Sequence, residues 1–173
     1  VLDRRGGGGH HVPPGRVEAQ ESLGLRRLDS NERSCFYSGV RKGEITRNAI
    51  LDRAVRLASQ VGLSGLTIGR LADELELSKS GLFAHFQSKE TLQVQVLGRA
   101  SHMFVQLVVR PALAAPRGEP RIRAIFDRWI EWTRKAELPG GCLFVTAAAE
   151  LDDRPGPARD RLVELQREWM DFI

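Results

Sequence analysis

The residues best suited to chemistry lie between Thr67 and Lys89. Thr67, Ser78 and Ser80 bring hydroxyls, Lys79, His85 and Lys89 bring nitrogen donors, and Gly81 and Phe83 sit among them. Donors and small side chains in this pattern suit non-covalent contact with phosphate oxygens and other fixed acceptors, not bond breaking. The groups that could break bonds are His102, Cys142 and Glu150, and they show no nucleophile–base spacing. No catalytic residue is therefore expected. An enzyme of small apolar substrates is the alternative, to be recognised by turnover that Cys142→Ala abolishes. Cys142 also has no adjacent Lys or Arg to activate its thiol. The pair His10–His11 has no further ligand at metal-site spacing, so neither a metal nor another cofactor is expected.

Charge follows the same region. The 173 residues carry a net charge of +4 at a pI of about 9.6. Residues 1–40 hold 6 Lys/Arg against 5 Asp/Glu, residues 41–99 hold 9 against 6, and residues 100–173 hold 11 against 11. The excess falls where a polyanion contact requires it. Cys35 and Cys142 lie far apart and suggest no disulfide framework. No run approaches the roughly 18 apolar residues of a membrane span, and Asp3-Arg4-Arg5 followed by glycines does not resemble a secretory leader, so no membrane partner and a cytoplasmic location are expected.

The elements that position these residues read as helices throughout. Residues 1–40, with glycines at 6–9 and then His-His-Val-Pro-Pro-Gly, offer no periodic apolar face and are expected to be a disordered or non-native extension. From Glu44, Leu51, Ala54, Val55, Ala58 and Val61 recur at helical spacing until Gly62. Thr67 caps a second helix with Ile68, Leu71, Ala72 and Leu75; Ser78 caps a third through about His85; Ser88 caps a fourth with Leu92, Val96, Ala100, Met103 and Leu107, limited by Pro111. Leu71, Ala72, Leu75, Leu77 and Leu82 are placed to pack the second and third helices together. Further on, Ile122, Ile125, Phe126, Trp129 and Ile130 form one stripe, Cys142 to Leu151 reads as a buried helix, and Ala158, Leu162, Leu165, Trp169 and Phe172 form a last stripe after Pro157. No segment alternates at period 2 long enough for a sheet, so the fold class is all-α.

Two short helices joined by a tight turn near Leu75–Leu77 predict a helix-turn-helix over 67–86. Its second helix would enter a DNA major groove with Ser78, Lys79, Ser80 and Gly81 toward base edges. This stretch resembles the TetR family of transcriptional regulators, in Thr67, Leu71–Ala72, the late aromatic Phe83, and Phe86-Gln-Ser-Lys89-Glu-Thr-Leu92. The family usually has Tyr at the late aromatic; Phe83 lacks its hydroxyl, which leaves the phosphate contact to His85 or leaves Phe83 to stack on sugars. The resemblance implies that Thr67 contacts phosphate at a helix start, that Lys79 and Ser80 read bases, and that His85 and Lys89 hold phosphates. Thr67 and Ser78 can act as plain caps as well.

The second half resembles the family's ligand-binding domain in Gly140-Gly-Cys-Leu-Phe and in Glu150 to Arg159. That implies a small-molecule effector. Met103, Phe104, Trp129, Trp132, Cys142 and Phe144 could line its pocket, or could simply be core. The family dimerises through its last two long helices. Here one such helix begins at Ala158 and the sequence ends at Ile173, so Leu162, Leu165, Trp169 and Phe172 are expected to face a homodimer partner, in a domain cut short at its C-terminal end. The expected organisation is an extension over 1–40, a helix-turn-helix domain over 41–97 and an incomplete helical regulatory domain over 98–173. The expected function is a ligand-responsive repressor that binds an operator as a dimer; the alternative is a dimerisation-impaired remnant, mostly monomeric.

Overall fold

The computed structural model describes residues 42–135 and 138–173. The extension expected over 1–40, with His10, His11 and Cys35, lies outside the described residues. The described residues form α-helices and turns, with no strand among them. Helix α1 spans Lys42–Gly65, α2 Ile68–Leu75, α3 Lys79–Phe86 and α4 Lys89–Phe104. A π-helical turn Val105–Val109 and a last α turn Arg110–Ala112 continue α4. Then come α5 (Glu119–Thr133), α6 (Leu143–Leu151) and α7 (Pro157–Phe172). None of these helices is long and apolar enough to cross a membrane.

The local rules hold where a cap needs only its own neighbours. Thr67 accepts a hydrogen bond from Arg70 N at 3.1 Å, Ser78 from Gly81 N at 3.2 Å and Ser88 from Thr91 N at 3.0 Å. Each satisfies one free N–H of a first turn, worth about 1 kcal/mol. Gly62 interrupts α1 at φ 73°, ψ 167°, a left-handed conformation that stops the helix where the apolar spacing stops. Pro111 acts differently from expectation. Its ring would clash with the carbonyl four residues back in a regular helix. The chain instead widens one turn, so that Arg110 N bonds Val105 O, and helix continues to Ala112.

One core runs through the molecule. Ala54, Val55 and Ala58 of α1, Leu71 of α2, Phe86 of α3, and Leu92, Val96 and Leu97 of α4 are fully buried. Burying each of the larger ones contributes about 1.5–3 kcal/mol. Helix α4 packs on α1 and α7, and α6 packs on α1, so α4 crosses position 97 without a break and ties both halves together. Asp52 on α1 and Arg99 on α4 reinforce this with paired bonds of 2.7 and 3.0 Å.

One expectation changes. Leu77 is 46% exposed rather than packed between α2 and α3, because Glu76 before it turns left-handed at φ 54° and carries the chain outward. The stripe of α7 packs inward on this chain. Leu162 and Leu165 are buried on this chain's own core, and Trp169 and Phe172 are partly buried against it, Trp169 meeting Phe104 edge-on with centroids 5.1 Å apart.

Candidate nucleic-acid interface

Helix α3 is pinned from below. Leu82 and Phe86 point into the core at 1% and 0% exposure, while α2 packs across it through Leu71 and Ala72. Geometry then forces the other faces outward. Ser78, Lys79, Ser80, Gly81, Phe83 and His85 are all exposed, as are Thr67 at the start of α2 and Lys89 at the start of α4. All the residues expected to touch nucleic acid thus lie on the outside of one three-helix unit.

Their contacts leave most of them available. Lys79 Nζ is 3.9 Å from Asp73 Oδ1, with both side chains about 70% exposed, an ion pair that solvent largely screens. Ser80 Oγ reaches Ser78 Oγ at 3.5 Å. Phe83 is 56% exposed, an aromatic left on a polar face. His85 meets the Phe86 ring in a tilted arrangement, with ring centroids 6.3 Å apart. Lys89 differs, because its Nζ donates to Ser64 O at 2.6 Å in the last turn of α1. Arg70 was not among the expected residues. It is an exposed cation on α2 whose backbone N–H is held by Thr67, and its position three residues after that cap was the available signal.

The second half holds a cavity of about 390 Å³ that is partly open to solvent. Helix α4 and the π turn supply Ser101, Phe104 and Val105; α5 supplies Ile122, Ile125, Phe126 and Trp129; the start of α6 supplies Cys142 and Phe144; α7 supplies Leu165, Gln166, Trp169 and Ile173. Four of the six residues expected at a pocket line it. Met103 and Trp132 do not: Trp132 is 1% exposed in the core, edge-on to Phe104 at 5.2 Å. The α5 residues other than Trp129, and the α7 residues, were missed because their stripes announce a buried face without saying that it borders a void. Among the described residues, no group of three His, Cys, Asp or Glu could hold a metal ion.

Two family models match the chain. Residues 50–96 match the model for bacterial regulatory proteins of the tetR family, and residues 118–173 match the tetracyclin repressor-like C-terminal domain. No curated protein gives a significant match. Among solved structures, a TetR transcriptional regulator from Chloroflexus aurantiacus is 28% identical, with a TM-score of 0.62 over 78% of this chain and 68% of its own. A TetR-family transcriptional regulator from Streptomyces coelicolor is 23% identical, with a TM-score of 0.63 over 73% of this chain and 67% of its own. AibR in complex with isovaleryl coenzyme A and operator DNA is 23% identical, with a TM-score of 0.58 over 72% of this chain and 65% of its own. The chain thus spans about two thirds of the length of each.

Proposed function

The chain belongs to the TetR family of transcriptional regulators, and we propose that it binds double-stranded operator DNA through α3 and is released by a small molecule held in the second-half cavity. The observation that carries the DNA-binding part is the exposed Ser78–Gly81 start of α3 on a helix anchored by Leu82 and Phe86. A rigid helix with small, polar residues at its N-terminal end can approach base edges closely, and Lys79 can donate to guanine O6 and N7. Thr67, Arg70, His85 and Lys89 surround it and would fix its register on the phosphates without reading sequence. Two copies would set their α3 helices about 34–36 Å apart, in successive major grooves. AibR, seen in complex with isovaleryl coenzyme A and operator DNA, is a similar fold that holds both a small molecule and DNA. The role is that of a cytoplasmic repressor.

The cavity's chemistry narrows the ligand. No Asp, Glu, Lys or Arg contributes to its described lining, and its polar side chains are Ser101, Gln166, the Cys142 thiol and the indoles of Trp129 and Trp169. A charged ligand would lose hydration there without gaining a counter-ion. The effector is therefore an uncharged, mainly apolar molecule with room for aromatic rings. Replacing Lys79 tests the reading. A preferred duplex is selected from a randomised pool, and its affinity is compared with that of a scrambled duplex by fluorescence anisotropy. Lys79→Ala is expected to cost about 1–3 kcal/mol on the preferred duplex and to relax preference at one base position. Unchanged affinity and preference would remove Lys79, and with it this placement of α3, from the interface.

A further inference from the structure

The last turn of α1, beyond the Gly62 kink, is held by side chains from α4, from α6 and from the loop after α6. The Ser64 backbone N–H donates to Glu150 Oε2 at 2.8 Å, and Arg154 Nη1 donates to Ser64 Oγ at 2.8 Å. From α4, Lys89 Nζ donates to Ser64 O at 2.6 Å and Gln93 Nε2 to Leu63 O at 2.6 Å. Every polar group of Ser64 is thus engaged. The fit is close: a Cβ on Gly62 would fall 1.9 Å from Glu150 Oε1, so glycine is required for the carboxylate to reach the turn. Glu150 lies near the end of α6, and the other end of the same helix begins beside the cavity, where Cys142 and Phe144 line the wall. The rise from Cys142 to Glu150 is about 12 Å. Three residues after Ser64 stands Thr67, which starts α2.

We propose that Glu150 is a positioning residue that couples the cavity to the DNA-binding helices, with α6 as a rigid lever between them. A molecule that displaces the Cys142–Phe144 end shifts the Glu150 carboxylate, and the Ser64 backbone follows through its N–H bond to that carboxylate. The angle of α2 and α3 then changes without any change in their own sequence contacts. Such coupling is a difference in ligand affinity between two arrangements, and it is reciprocal. Within this arrangement Glu150 touches neither DNA nor the cavity.

This inference rests on the proposed function, so the test reads each part separately. The probe is N-phenyl-1-naphthylamine, an uncharged aromatic dye, used with the full chain and its selected duplex. Dye affinity reports the cavity, DNA affinity without dye reports α3, and the ratio of DNA affinities with and without saturating dye reports the coupling. Thermal melting checks that the variants fold. The wild type is expected to lose about fivefold or more of its DNA affinity at saturating dye. Glu150→Ala should bind dye as the wild type does while its coupling ratio falls toward one. Glu150→Gln, which keeps an acceptor for Ser64 N–H, should retain most of the ratio. A folded Glu150→Ala that keeps the wild-type ratio, or a wild type that binds both dye and DNA with a ratio of one, overturns the lever. A wild type that fails to bind dye or DNA overturns the proposed function and, with it, the lever.

Discussion

Gly140 shows how far a single atom matters in this molecule. A Cβ there would lie 1.6 Å from the Ser59 carbonyl oxygen, which belongs to the α1 backbone and cannot swing aside. Gly140→Ala must push the start of the α6 segment off α1, and overpacking of this kind costs about 1–3 kcal/mol or more. Gly98 is the control. It lies within α4 with nothing within 4 Å of its would-be Cβ, so Gly98→Ala should gain about 0.5–1 kcal/mol. Urea unfolding of both variants should give opposite signs; equal signs would mean the Gly140 approach is not a constraint. At this scale the sequence was readable where the cause was local. Thr67, Ser78 and Ser88 were legible as caps because each bonds an N–H three residues on. Glu150 was not, because its partner Ser64 is 86 positions away.

Helix α4 carries the titration expected to matter most. His102 is held below its ordinary range, first by partial burial, then by repulsion from Arg99 and Arg110, with Asp52 on α1 opposing the shift. The unfolded chain therefore binds this proton more readily than the folded one. Stability should fall as pH drops below about 6.5 and level off once the folded imidazole is also protonated. Because the residue remains substantially exposed despite that partial burial, solvent screening keeps the slope shallow. Chemical denaturation between pH 7.5 and 5 should show the loss, smaller in His102→Gln; an identical slope in that variant would assign it elsewhere. Helix identities were legible from apolar spacing alone, but directions were not. The α7 stripe announces that Leu162 and Leu165 are buried, and only the packing on α4 says that the burial is internal. The π turn before Pro111 was hidden for a related reason: proline forbids a regular turn but does not choose between stopping and widening.

Across the whole molecule, the account depends on the exposed face around α3 meeting DNA while the second half remains behind it. Phosphate contact from Arg70, His85 and Lys89 should make affinity fall with salt, by about 0.9 in log–log slope for each phosphate neutralised. Base reading from Lys79 should add a preference that salt does not erase, since it depends on which edges the helix meets. The most direct measurement is therefore the affinity of the full chain for its selected duplex and for a scrambled one across a salt series. The prediction is a slope steeper than about −2 on both duplexes. The two lines should be separated by a preference that persists at every salt concentration and shrinks in Lys79→Ala. A flat salt response with no separation between the duplexes would contradict the claim that α3 reads DNA.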